Sequence, residues 1–354
     1  MGLIRLILAI SVITVHSSSI FGINFIQGRL AVEVFFMISG FYMALILTEK
    51  YNKKSDYKLF ITNRFLKIFP TYWTILFLCL IFQLIYFYSN QNSSNIFGLF
   101  NKNYNLNIFT FITFIVSNLI IFGQDILLFF GLNTNSGVLF FTPNFQLFKP
   151  EIFNFIFIPQ AWTLALELTF YFLVPFLNRL KNKYLVIIMS LSLCLRLFLY
   201  SRGLNHDPWN YRFFPTELIF FLSGILMYRF YLYIKNKKIK LLSFCTFVLY
   251  ISFLIFYQFT LPNQLILFIF SFIFIPFIFK LSKNNKIDRF TGELSFPVYI
   301  SHFLIIDILT HFTNLPHQFL GLTTSIVSIL LSILILKLII NPINNFRQSR
   351  VKTL

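Results

Sequence analysis

Ten apolar stretches recur along the chain, at 3–20, 30–48, 69–88, 161–178, 184–200, 213–230, 241–257, 263–280, 295–312 and 320–340. Each has the length, roughly 17–25 residues, that a helix needs to cross a bilayer. Short polar connections separate them, and no stretch is long and polar enough to make a soluble domain. The pattern predicts an all-α polytopic transmembrane bundle of about ten spans, because only helices satisfy their own backbone groups inside lipid. Residues 107–133 are also apolar enough to enter the membrane. The segment after them, 134–158, contains Pro143 and Pro150 and makes a poor partner span. A re-entrant or surface-lying segment at 107–133 is therefore expected. One transmembrane domain over 1–345 and a basic tail at 346–354 complete the predicted organisation.

Charge orients this bundle. Lysine and arginine total 29 against 11 acidic residues, a net charge of +18. The cations fall in groups: Lys50 to Lys67, Arg179 to Lys183, Arg229 to Lys240, Lys280 to Arg289, and Arg347 to Lys352. The intervening connections 21–29, 89–106, 201–212, 258–263 and 313–319 are poor in positive charge. That alternation follows the positive-inside rule. It predicts both termini in the cytoplasm and assigns the basicity to a lipid bilayer rather than to nucleic acid. Composition agrees, with 57% apolar and 11% charged residues. Cys79, Cys194 and Cys245 each lie inside an apolar run, so neither a disulfide framework nor a thiolate metal site is expected. His206, His311 and His317 lack metal-ligand spacing, and no metal is predicted.

Ionisable groups inside apolar runs mark candidate sites. Arg5 and His16 are eleven positions apart in an otherwise apolar stretch. On a helix they return to one face within about 20°, roughly 16 Å apart along the axis. By itself this first run reads equally as a secretory signal peptide or as a retained helix. Glu33 opens the second run, Glu167 lies about a turn and a half inside the fourth, and His302 about two turns inside the ninth. Arg64 and Lys67 lead into the third.

The stretches that carry these residues run Ala31-Val32-Glu33-Val34-Phe35-Phe36-Met37-Ile38-Ser39-Gly40-Phe41, Arg64 through Lys67 and Pro70 to Tyr72-Trp73, Trp162-Thr163 through Glu167 and Phe170-Tyr171 to Pro175, Phe220 to Gly224, and Ser295 through Tyr299 to His302. Together with Arg5-x10-His16 they resemble, in order, the motifs of the acyltransferase 3 family of integral membrane acyltransferases. Ala31 stands where that family usually has glycine, Thr163 where it has serine, and Asn341 precedes Pro342 where an acidic residue is common. The esterase-like extracytoplasmic domain of some relatives is not expected here.

The resemblance implies transfer of an acyl group, usually acetyl, from cytoplasmic acyl-CoA to a hydroxyl of an extracytoplasmic glycan. The acceptor would be a polysaccharide or lipid-linked glycan such as lipopolysaccharide, capsule or exopolysaccharide, at a bacterial inner membrane. His16, kept neutral by burial, would be the general base, with Glu33 or Glu167 orienting it. Glu33 reads equally as a helix cap. Arg5, Arg64 and Lys67 would meet the CoA phosphates, although Lys67 reads first as an interfacial anchor. Trp162, Tyr171, Ser39 and His302 would contact substrate, the aromatic pair fitting interfacial belts as well as sugar stacking. Arg196 and Glu217 either pair structurally or line the acceptor path. The alternative is a transporter or flippase of a lipid-linked or small polar substrate, disfavoured by the absence of an internal repeat.

Overall fold

The computed structural model describes residues 1–89, 96–101, 106–260 and 263–352. Parts of the predicted outer loops 89–106 and 258–263, and the last two residues of the 346–354 tail, lie outside them. The helices are α1 (Gly2–His16), α2 (Gly28–Glu49), α3 (Tyr57–Ser89), α4 (Ile96–Asn101), α5 (Ile108–Ile120) and α6 (Gln124–Leu127). After a hairpin of β1 (Phe130–Asn133) and β2 (Val138–Phe141) come α7 (Trp162–Leu177), α8 (Asn182–Ser201), α9 (Phe214–Ile234), α10 (Lys240–Ile255), α11 (Gln264–Ser282) and α12 (Lys286–Phe312). Finally α13 (His317–Ile335) passes through one π-helical stretch into α14 (Asn341–Lys352).

Every predicted span coincides with a helix, but the count of ten full-length crossings is reduced. Among the described residues, eight helices are long and apolar enough to cross a membrane by length and composition. Helix α1 has 15 residues and α10 has 16, which gives rises of only about 22–24 Å. Helix α1 stops where the apolar run meets Ser17-Ser18-Ser19. Asparagines flanking the helices are put to local use. Asn263 accepts from the Leu265 amide (2.9 Å), and Asn285 from those of Ile287 and Asp288 (2.8 and 3.1 Å), capping α11 and α12.

The chain forms two compact units, one comprising Met1–Thr71, Tyr171–Met189 and Phe220–Leu354, the other Tyr72–Phe170 and Ser190–Ile219. In the first unit α1 packs against α12, α2 and α13, and α11 against α2 and α10. Close approach here depends on missing side chains. A Cβ on Gly2 would fall 1.6 Å from the Asp288 carbonyl oxygen, and one on Gly40 2.0 Å from that of Phe221. Small residues let helix backbones touch where lipid offers no hydrophobic drive. The Asp288 carboxylate completes the start of α1, accepting from the Leu3 amide (3.1 Å) and pairing with the Met1 amine (2.7 Å). Packed on three neighbours, α1 is an integral helix of this unit, as the retained-helix reading of the first apolar run expects.

The second unit has its own core of Leu99, Phe114, Leu127, Leu132, Ile152 and Phe155, with the Phe114 and Phe155 rings stacked at 4.6 Å. Helix α5 has 13 residues, about 20 Å of rise against a hydrocarbon core of about 30 Å, so it is too short to cross. It buries Thr110, Phe114, Ser117 and Asn118 and exposes Phe109, Ile112, Ile115 and Val116. The chain then turns through Ile121 and Gly123, both at positive φ, into α6 and the hairpin. Asn118 ties this arrangement together: its carbonyl accepts from Tyr72 Oη (2.5 Å), and its side chain bonds Phe155 O (3.0 Å) and the Phe157 amide (2.8 Å).

Candidate active site

Two polar clusters in the first unit sit at opposite ends of α1, termed outer and inner after the orientation that the charge pattern predicts. The outer one pairs His16, the last residue of α1, with His302 from α12. Their rings lie 5.5 Å apart and 24° from parallel, and Phe303 packs against both at 4.6 and 4.7 Å. His302 is fully buried. Its Nδ1 is 2.6 Å from the Tyr299 carbonyl oxygen. A carbonyl only accepts, so Nδ1 carries the proton and the lone pair is on Nε2. That Nε2 is buried and has no hydrogen-bond partner among the described residues. His16, by contrast, is exposed. The expectation that burial keeps His16 neutral is corrected: the buried imidazole is His302, because α1 ends at His16, whose ring packs on His302 and Phe303 at the exposed end of the helix.

Glu33 is fully buried in the second turn of α2, too far along to cap it, and lies 3.8 Å from Arg29 Nε. The start of α2 runs beside the end of α1, since a Cβ on Gly28 would meet the Val15 side chain at 3.6 Å. Ser39 is buried further along α2, next to the Gly40 contact with α9.

The inner cluster gathers Arg5, Arg64 and Lys67, as the sequence suggested, and adds Arg347. Lys67 sits in the field of Arg64, Arg5 and Arg347, with Glu293 opposing them. Arg5 reaches the Gly292 site and lies 6.0 Å from the centre of the Tyr42 ring. Arg64 and Arg347 are each only 6% exposed, and the Nε atom of each is buried without a hydrogen-bond partner among the described residues. Arg347 NH1 donates to Asn344 Oδ1 (2.7 Å), and Asn344 Nδ2 to Glu293 Oε2 (3.0 Å). Arg64, Arg5 and Arg347 thus act together with the Glu293 carboxylate on Lys67, and Arg64 and Arg347 each keep a buried donor unused. Sequence reasoning missed Arg347 by placing it in a basic tail. The segment is helical through Lys352, and Arg350 fixes it by donating to Asn63 Oδ1 and Thr62 Oγ1, both at 2.9 Å. An arginine three residues after an asparagine on one helix face was the available signal.

The other candidates divide between the two units. Tyr171 belongs to the first unit, packed edge-on against Phe60. Trp162 belongs to the second, where it is buried, with the Arg212 guanidinium 4.5 Å from its ring centre and Tyr211 edge-on at 5.0 Å. Arg212 in turn clasps Asp207 at 2.6 and 2.9 Å. Within its own unit the Trp162 ring is thus covered by Arg212 and Tyr211. Arg196 pairs with Glu217 at 3.0 Å and donates to Asn210 O at 2.9 Å, the structural alternative of the two. Glu167 is half-buried on α7 within the second unit.

Residues 1–341 match the family model Acyl_transf_3, described as an acyltransferase domain. The chain belongs to the acyltransferase 3 family. As a member, it is a multi-pass membrane acyltransferase. An uncharacterized protein of Aquifex aeolicus (strain VF5) is 28% identical over 213 residues, which is 54% of this chain and 90% of that protein. No solved structure matches. In this acyltransferase the Arg5-x10-His16 motif connects the cationic cluster to the histidine pair along a single helix.

Proposed function

We propose that the protein moves an acyl group, acetyl in the first instance, from cytoplasmic acyl-CoA to a hydroxyl of a glycan on the far side of a bacterial inner membrane. The acceptor class is a polysaccharide or lipid-linked glycan of the cell surface. The observation that supports this is the polarity of α1, with a cationic cluster at its start and two imidazoles at its end. The roughly 16 Å between them is of the order of an extended pantetheine arm, so phosphates held at Arg5 would leave the thioester near His16.

In the reaction the acceptor oxygen attacks the thioester carbon, a C–O bond forms and the C–S bond breaks. His16, the accessible imidazole, takes the hydroxyl proton as the bond forms and returns it to the departing thiolate. His302 stacks behind it with its tautomer fixed by Tyr299. Glu33, on the helix whose start runs beside the end of α1, is the carboxylate proposed to steady the imidazolium. Arg64, Lys67 and Arg347 join Arg5 on the donor phosphates.

The test is purified protein incubated with radiolabelled acetyl-CoA and surface glycan. Label appearing on glycan supports the reading. Persistent absence of transfer from acetyl-CoA, with movement of a lipid-linked glycan across vesicles, would replace it with a flippase.

A further inference from the structure

A cavity of about 390 Å³ opens on the basic side of the first unit, between the α2–α3 connection and the end of α7. No residue discussed for the reaction lines it. Its walls divide by chemistry. Tyr51, Tyr57, Phe60 and Phe176 supply aromatic surface, while Lys53, Lys54 and Arg179 supply positive charge. The aromatic residues are paired: Tyr51 packs edge-on to Phe60 at 5.6 Å, and Tyr57 meets Phe176 at 5.6 Å. Tyr51 and Phe60 are buried and form the floor, whereas Phe176 is 60% exposed at the rim. The one acidic lining residue, Asp56, is turned onto its own turn, accepting from the Lys53 amide (3.0 Å) and Ser55 Oγ (3.3 Å). The three cations are left facing the space without a lining carboxylate directed at them.

The floor adjoins the inner cluster. Phe60 lies under Arg64, 5.8 Å from its guanidinium carbon, and Tyr51 Oη accepts from Asn63 Nδ2 at 2.9 Å. A planar, sequence-tolerant aromatic surface beside several cations is the chemistry that holds a nucleobase and its phosphates. The volume is within the range of small-ligand sites.

We infer that this cavity binds the adenosine 3′,5′-bisphosphate end of the acyl donor, with the base against Tyr57 and Phe176 and the phosphates on Lys53, Lys54 and Arg179. The inference rests on the acyl-CoA reading above and adds a site outside the inner cluster. It places the donor's nucleotide at the α2–α3 connection, from which the pantetheine arm passes Arg64 and Arg5.

The test measures binding of adenosine 3′,5′-bisphosphate to the purified full chain by calorimetry. Wild type is expected to bind saturably. Arg179→Ala and the double variant Lys53→Ala/Lys54→Ala should weaken binding roughly tenfold or more, and Phe176→Ala about tenfold. Lys58→Ala, a charge removed from the same loop but outside the cavity, should bind as wild type does. Absence of saturable binding, equal weakening by Lys58→Ala, or full competition by glycerol 1-phosphate would overturn the assignment, the last by making it a lipid-headgroup site. Acyl transfer from acetyl-CoA is measured on the same preparations. Binding without transfer counts against the proposed reaction alone, and transfer with unaltered binding in the cavity variants counts against the cavity alone.

Discussion

Replacing His16 by alanine separates chemistry from folding because of where the residue sits. It is exposed, it is the last residue of α1, and its ring meets His302 and Phe303 rather than filling a core. Truncating an exposed side chain changes stability by about 0.5 kcal/mol, and loss of a cationic helix-end contribution adds at most about 1 kcal/mol. Removing a positioned general base costs about 10²–10⁴ in rate, equivalent to about 3–5 kcal/mol in the barrier. His16→Ala should therefore abolish measurable glycan acylation while its thermal unfolding in detergent stays near that of wild type. The companion change His302→Phe keeps a ring for His16 to stack on and removes only the nitrogens. It should retain partial turnover if His302 positions His16, and none if its Nε2 accepts the proton. The assay is initial rate of label transfer from acetyl-CoA at fixed protein, alongside a melting curve. A His16→Ala protein that acylates at more than a tenth of the wild-type rate would refute the role given to this imidazole.

Arg5→Lys should raise the apparent acetyl-CoA requirement partly and Arg5→Ala far more, both recovering at high donor, because lysine keeps the charge but loses the planar fork; unchanged donor affinity with lost maximal rate in a donor titration would move Arg5 into the chemical step. In a variant lacking the native cysteines, a cysteine at exposed Asn205 should react with an impermeant thiol reagent on intact cells, and one at exposed Asn52 or Asn284 only after the membrane is opened; the reverse labelling would invert the orientation. Burial pushes the Asp125 carboxyl up to about 6 from 3.8; since the folded value lies above the unfolded one, this stability is present below about pH 4 and lost as pH rises through about 6, by as much as about 3 kcal/mol. Melting curves at pH 5 and pH 8 should show about half of that loss, about 1.4 kcal/mol, in wild type and a flattened dependence in Asp125→Asn.

The positions of the helices were legible because apolar run length is set by the same hydrocarbon thickness that selects the helices. What the runs conceal is depth. The serines after His16 end the apolar run, but local pattern gave no sign that the ring would be exposed, since that depends on how α12 and α2 pack beside it. The motif Arg5-x10-His16 does fall on a single helix, whereas burial was assigned to the wrong histidine. Arg347 was hidden for a related reason: a cation after the last apolar run counts as a surface charge until a helix folds it back onto Glu293 and Arg64. Trp162 shows the converse, an aromatic residue at a membrane-level position whose ring face is already covered by an arginine 50 residues away in sequence.

The glycine contact between α1 and α12 makes the first helix a measuring rod. With Gly2 seated against the Asp288–Gly292 turn, the zero of the scale is fixed, and His16 is wherever fourteen further residues place it. One inserted residue between Arg5 and His16 would swing the imidazole about 100° around the axis and advance it only about 1.5 Å. A whole added turn would restore its direction but carry it about 5.4 Å beyond its partner. Neither error can be absorbed by sliding the helix, because the backbone at its start has nowhere to go. The position of the imidazole is thus held by steric contact at the far end of the helix, beside Arg5 and about 21 Å from the ring it places.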